Sequence, residues 1–187
     1  MRRVLLTGAN GFIGSALSGK LKAQGWVVRA ALRSTDVRPD EVEVVIVGDI
    51  NAKTDWSAAL AGVDFVVHLA ARVPVMRETG PDPLSTFRVD NVDSTERLAE
   101  AAAQANVRRM VFLSSIKVNG ELTTGSPFTE IDSPTPLDSY AISKHEAEVR
   151  LRQIAAETGM ELVVIRPPLV YGPGVKGNFS VLMRWVK

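Results

Sequence analysis

Cysteine is absent from the 187-residue chain, which excludes disulfides, thiolate zinc sites and a cysteine nucleophile. Histidine occurs twice, at 68 and 145, so an imidazole-built metal site is not expected. No excess of one charge exists: 22 Lys and Arg oppose 21 Asp and Glu, a net charge of +1. That balance supplies no field for nucleic acid or an anionic membrane. No apolar run approaches the ~18 residues of a membrane span. After Met1-Arg2-Arg3 the apolar stretch is only Val4-Leu5-Leu6, too short for a signal peptide. The acidic residues show no pairing of the kind glycoside hydrolysis uses. What remains is 45% hydrophobic and 23% charged, the composition expected of one soluble cytoplasmic domain with a sizeable core.

Short apolar runs alternate with helical patterns. Strands are expected at Arg3–Thr7, Trp26–Leu32, Val42–Gly48, Asp64–Leu69, Val107–Ser114 and Glu161–Arg166. Runs such as Val44-Val45-Ile46-Val47 are apolar throughout, as strands buried on both faces of a parallel sheet must be. Helices are expected over Phe12–Gln24, ending at Gly25, and over Asp55–Ala61, ending at Gly62. Two more are expected over Leu84–Asn106 and Leu137–Thr158, the latter ending at Gly159. The alternation predicts an α/β fold, a doubly wound parallel sheet with helices on both faces. Lys117–Pro136, rich in Gly, Ser, Thr and Pro, is the longest loop. Trp26, Trp56 and Trp185 read as packing residues, His68 as a satisfied structural histidine and His145 as solvent-facing.

Between the first strand and first helix stands Thr7-Gly8-Ala9-Asn10-Gly11-Phe12-Ile13-Gly14. A dinucleotide needs such spacing. One glycine makes the turn, one admits the pyrophosphate to the backbone, and one lets helix and strand pack closely. The helix N-terminus then offers unpaired N–H groups and a positive dipole end. The second strand ends Ala30-Ala31-Leu32-Arg33, with no carboxylate before Asp36. An acidic residue there would hold the ribose hydroxyls, whereas an arginine accepts a 2′-phosphate, so the sequence leans toward NADP. Arg33 could instead stack on adenine or face water. Asp49-Ile50, after the third strand, could meet the adenine or, through Asp49, cap the next turn.

Tyr140 and Lys144 are four apart at the start of the last helix and share a face. A tyrosine, with a reference pKa of about 10, needs help to act as a base. A nearby ammonium and a nicotinamide cation would favour its phenolate. Alone, Tyr-x-x-x-Lys is commonplace. Its company is Ser114-Ser115 at the C-terminal end of the fifth strand, where open α/β sheets bind ligands and a hydroxyl can donate to a developing alkoxide.

Together these motifs resemble the extended short-chain dehydrogenase/reductase family, in its nucleotide-sugar 4-epimerase and 4-ketoreductase branch. The matching segments are 7–14, Gly48-Asp49-Ile50, His68-Leu69-Ala70-Ala71, Asn91-Val92-Asp93-Ser94-Thr95, Ser114-Ser115, Tyr140-x-x-x-Lys144 and Arg166-Pro167-Pro168-Leu169-Val170-Tyr171-Gly172. The resemblance implies a Rossmann-like fold and an NAD(P) cofactor held by Gly8, Asn10, Gly11, Phe12, Ile13 and Gly14, with Arg33, Asp49 and Ile50 at the adenosine end. Leu69, Ala70 and Ala71 would line the groove, and Asn91 would support the site. Pro167 and Leu169 would border the nicotinamide. Ser115 and Tyr140 would bind the reacting oxygen, and Lys144 the nicotinamide ribose. Asn178, in Gly177-Asn178-Phe179, would bind the sugar nucleotide. Two departures weaken the epimerase label more than the family label: Arg33 where many epimerases have an acid nearby, and Val118-Asn119-Gly120 for Val-Tyr-Gly.

The expected function is therefore a nucleotide-sugar epimerase acting by transient oxidation. A 4-keto-sugar or other ketone reductase using NADP stands second, and a non-catalytic NAD(P)-sensing regulator is a remote third. The 187 residues read as the cofactor-binding portion of a longer protein with a further substrate domain. Phe179, Leu182, Met183 and Val186 form an apolar stripe needing a partner, either that region or another subunit, as in a homodimer.

Overall fold

The computed structural model describes residues 1–34, 42–74, 82–123, 125–175 and 185. All six expected strands form: β1 (Arg3–Thr7), β2 (Val27–Leu32), β3 (Glu43–Ile46), β4 (Phe65–His68), β5 (Arg109–Leu113) and β6 (Glu161–Ile165). They make one sheet in the order β3-β2-β1-β4-β5-β6, with every neighbouring pair parallel. This is a doubly wound sheet whose order reverses between β1 and β4, and ligands bind at the carboxyl ends of the strands beside that switch point.

Strand alternation divides the core in two. Val4 and Leu6 of β1 join Val28, Ala30 and Leu32 under α1 (Phe12–Ala23), where Leu17 and Leu21 pack against them. Leu5, between them, faces the other layer with Val66, Met110 and Phe112, which Leu98, Ala102, Ala147 and Leu151 cover. The last four belong to α4 (Ser94–Gln104) and α5 (Ser139–Thr158). Trp56 is fully buried in that layer, as expected of a packing residue. Trp26 packs edge-on against Phe65, but Trp185 is 84% exposed and packs in neither core cluster, contrary to expectation. Among the described residues no helix is long and apolar enough to cross a membrane.

Two helices differ from expectation. The helix expected over Asp55–Ala61 shortens to α2 (Ser57–Leu60), because the Asp55 side chain accepts the Ser57 N–H at 2.9 Å and turns the chain ahead of it. The single helix expected over Leu84–Asn106 is interrupted: α3 (Pro83–Phe87) leads into a π-helical turn, Arg88–Asp93, before α4. Asp82 starts the run by accepting the Ser85 N–H at 3.0 Å, with proline next to it. In the wide turn the Asp90 carbonyl accepts the Ser94 hydroxyl at 2.5 Å. Apolar periodicity does not register such an inserted residue, and turns of this kind cluster at functional sites.

A buried polar network joins the β5–β6 half of the sheet to α5. Glu148 is wholly buried; its carboxylate accepts the Ser114 hydroxyl at 2.6 Å and two nitrogens of Arg166 at 2.9 and 2.5 Å. Arg166 also donates to Asn119 at 3.0 Å, and Arg152 donates to Glu148 at 3.0 Å. Burial alone would raise the Glu148 pKa, but the bonds from Arg166 and Ser114 outweigh it and hold the carboxyl below its ordinary value. A depressed acid contributes stability above its unfolded pKa and loses it as pH falls through the folded one. Replacing Arg166 by Met should cost about 3–5 kcal/mol at neutral pH, because it strands a buried charge. That gap should narrow as pH falls from the higher pKa Glu148 takes once Arg166 is gone to the depressed one it has in the parent, because over that range only the variant binds the proton when folded. Urea unfolding of both across this range measures it; a constant gap would contradict the role given to Glu148.

Candidate cofactor cleft and active site

At the carboxyl ends of β1, β2, β3 and β4 lies a cleft of about 840 Å³. Of the residues expected to hold a cofactor, Gly8, Asn10, Arg33, Asp49, Ile50, Ala70 and Ala71 line it. Leu69, expected beside them, packs instead against the core layer under α1. Gly11, Phe12, Ile13 and Gly14 lie on the turn and the first residues of α1 and are not among the lining residues. Two glycines are required by geometry. Gly8 has φ +68°, and a Cβ there would also come within 3.0 Å of the Ala70 nitrogen. A Cβ on Gly14 would fall 2.0 Å from the Gly8 carbonyl oxygen, so only glycine lets α1 approach the end of β1 this closely. No acidic side chain occupies the first turn of α1, leaving its positive end and free amides for an anion. The cradle therefore fits a dinucleotide pyrophosphate.

Arg33 and Asp49 stand together at the rim of the cleft. Arg33 Nε pairs with Asp49 at 2.7 Å, both side chains largely exposed. Asp49 thus uses its carboxylate on Arg33, while its backbone carbonyl accepts Asn51 and Thr54; it does not cap the following turn by its side chain. Arg72 and Asp90 also line the cleft, paired at 3.3 Å. Their sequence setting, an arginine after Ala71 and an acid inside a helical pattern, gave no periodic signal.

Thr7 organises the floor. Its hydroxyl accepts the Leu69 and Ala70 N–H groups at 3.2 and 3.1 Å, so its own proton points to His68 Nδ1, 2.7 Å away. The other ring nitrogen then donates to the Thr95 hydroxyl at 2.9 Å. Burial, with Lys144 adding to it, lowers the His68 pKa to about 3, which agrees with this neutral ring. His68 is the satisfied structural histidine expected. His145 is half-buried, with Nδ1 out of water and without a partner among the described residues, rather than solvent-facing.

The proposed reacting groups sit on the adjacent β5–α5 side. Ser115 ends β5's extension and caps a 3-10 turn, Ile116–Val118. Asp138 caps α5 by accepting the Ala141 N–H at 2.7 Å, which presents Tyr140 in the first turn. Phe87 packs edge-on against the Tyr140 ring, with centroids 6.0 Å apart. Burial, then the Asp138 charge, pushes the phenol above its usual pKa. The sequence led to expect a phenolate favoured by Lys144; the protein's own groups act in the opposite direction. Lys144 is buried with Nζ 4.0 Å from the centre of the Phe112 ring, whose other stacking partner is His68. Desolvation lowers its pKa to about 7, with Glu148 pulling the other way.

Asn91 ties the two halves together. Its side chain accepts the Arg72 N–H at 2.8 Å and donates to the Arg72 carbonyl and the Ser143 hydroxyl at 3.1 and 3.0 Å. Ser143 donates to the Tyr140 carbonyl at 2.8 Å. Asn91 thus acts from the π-helical turn on backbone and helix. Pro167 accepts the Ile116 N–H at 3.1 Å, and Leu169 is two-thirds exposed. The following chain returns to the glycine loop, since a Cβ on Gly172 would lie 3.8 Å from the Phe12 ring. Asn178 and the stripe residues Phe179, Leu182, Met183 and Val186 fall outside the described residues.

Sheet order, glycine cradle and cleft define a Rossmann-type dinucleotide-binding protein. The chain belongs to the NAD dependent epimerase/dehydratase family, which it matches over residues 4–186. It is 45% identical over 187 residues to a UDP-glucose 4-epimerase of Vibrio cholerae, covering 99% of this chain and 57% of that protein. A 3-beta-hydroxysteroid dehydrogenase of Mycolicibacterium neoaurum is 33% identical, with 95% and 50% covered. The solved structure of MoeE5 in complex with UDP-glucuronic acid and NAD superposes with a TM-score of 0.83 at 35% identity, covering 97% of this chain and 60% of that one. The chain thus spans about half the length of these curated relatives.

The low Lys144 pKa is directly measurable. In a chain labelled at the lysine ε-carbon, one resonance should titrate at about pH 7, while ordinary lysines titrate at about 10.4. Lys144→Met should remove that resonance alone. A full lysine set titrating at the ordinary value would contradict the burial of this ammonium.

Proposed function

We propose that residues 1–187 form the cofactor-binding and acid–base portion of a nucleotide-sugar 4-epimerase. The observation that carries the reading is the placement of Ser115, Tyr140 and Lys144 on the β5–α5 side of a dinucleotide cleft, with Lys144 and His68 on one aromatic ring. The likeness to a UDP-glucose 4-epimerase along almost the whole chain supports it.

Gly8, Asn10, Ala70 and Ala71 hold the cofactor, with the amides of α1 on its pyrophosphate. A bound nicotinamide supplies reversible two-electron oxidation of a sugar carbon. Ser115 and Tyr140 bind the reacting sugar oxygen; Tyr140 takes its proton and later returns it. The raised phenol pKa suits the returning step, and a cationic ring beside it favours the departing one. Lys144, poised near neutrality, hydrogen-bonds the nicotinamide ribose. Asn178 contacts the sugar nucleotide.

With UDP-glucose and cofactor, UDP-galactose should form, and Tyr140→Phe should lower turnover by about 10²–10⁴-fold without weakening cofactor binding. Chromatography of the two sugar nucleotides measures this. Full turnover in Tyr140→Phe would refute the acid–base assignment.

Arg33 favours a second reading, a one-way NADP-dependent 4-ketoreductase. Asp49 holds its guanidinium at the rim of the cleft, where a 2′-phosphate would sit. NADP should therefore bind more tightly than NAD, and Arg33→Ala should erase the difference. Calorimetric titration with both nucleotides tests this; equal affinity, or tighter NAD, removes the basis for the reductase reading.

A further inference from the structure

The two groups assigned to the reacting oxygen stand on different elements. Ser115 opens the 3-10 turn after β5, and Tyr140 lies in the first turn of α5. The described residues between 119 and 138 run as irregular chain, so covalent connection does not set their separation. We propose that Lys117 and Asp138 are positioning residues, an ion pair that locks the Ser115 turn to the N-terminus of α5 and so sets the spacing of the serine hydroxyl and the tyrosine phenol. The inference rests on the acid–base roles given to Ser115 and Tyr140 above.

The geometry is continuous from one group to the other. Lys117 donates its backbone N–H to Ser115 Oγ at 3.3 Å and its ammonium to Asp138 Oδ2 at 2.5 Å. The other oxygen of that carboxylate accepts the Ala141 N–H at 2.7 Å, next to Tyr140. One carboxylate therefore caps the helix and grips the serine turn at once. Glu121, 3.9 Å from the Lys117 ammonium, is its only other acidic neighbour among the described residues. Lys117 and Asp138 are part-exposed, with side-chain exposures of 43% and 34%. Pairs so placed add little to folding stability, which leaves geometry as the consequence of this one. Reacting groups tolerate little displacement; a shift of about 1 Å can cost about 10²-fold in rate.

The test uses the whole protein that carries residues 1–187, loaded with NAD, in four variants: Lys117→Met, Asp138→Asn, the two combined, and Lys117→Arg. Asparagine remains a good helix cap, so α5 persists. Each single loss should lower kcat for UDP-glucose by about tenfold, within the range that misplacement produces, while KM and NAD affinity hold. The double variant should be no slower than the slower single, and arginine should restore most of the rate. Hydrogen exchange gives a readout free of turnover. Lys117→Met should speed exchange at Ala141 and Ile142, whose amides bond to Asp138. Asp138→Asn should do so at Val118 and Asn119, whose amides close the serine turn. Multiplying rate losses, or exchange confined to the mutated segment, would overturn the lock. Exchange that crosses the gap in a chain that converts no sugar nucleotide would uphold the lock and refute the epimerase reading.

Discussion

The β5–α5 side of this protein depends on one carboxylate removed from water. Glu148 could not stay ionised in the core without donors, and it takes them from Arg166 beyond β6, Ser114 at the end of β5 and Arg152 one turn along α5. Those bonds hold β5, β6 and α5 in one arrangement. Ser115 follows Ser114 directly, and Lys144 stands one turn before Glu148 on the same helix, so both inherit their positions from this network. Its charge also sustains Lys144, whose burial alone would drive the ammonium toward neutrality.

The cofactor side depends on close approach instead. Gly14 lets α1 come within contact of the Gly8 carbonyl, and Gly8 turns the chain against Ala70. Thr7, one residue earlier, holds the Leu69 and Ala70 amides and the His68 ring with a single hydroxyl. The two sides meet at Phe112, stacked on His68 and lying under the Lys144 ammonium. Asn91 makes a second bridge, from the backbone of Arg72 to the first turn of α5.

These bridges give the titrating groups their character. His68 is held neutral, Lys144 is brought near neutrality, and the Tyr140 phenol is raised, each chiefly because the site is dry. A dry site of this kind makes the charge of an incoming ring more influential than it would be in water.

Much of this is legible in the residues. Apolar runs mark the strands, broken in β2 by Arg29, because the middle of a parallel sheet covered on both faces admits little polar alternation; the edge strands β3 and β6 leave Ile46, Val163 and Ile165 exposed. The glycine spacing locates the cradle, since backbone approach and positive φ are properties of residue type. Ser115, Tyr140 and Lys144 are identifiable from spacing and resemblance, whereas the Asp138 cap is not, since the sequence pattern starts that helix at Leu137. Tertiary structure alone decides the rest. The π-helical turn leaves no trace in an apolar period. The partner of Asp49 is Arg33, from another strand's end. The direction of the Tyr140 shift escapes the sequence because a pKa reports desolvation and every charge nearby, and sequence distance measures neither. Local chemistry is written along the chain, whereas dielectric surroundings and long-range pairing exist only once the sheet has brought distant segments together.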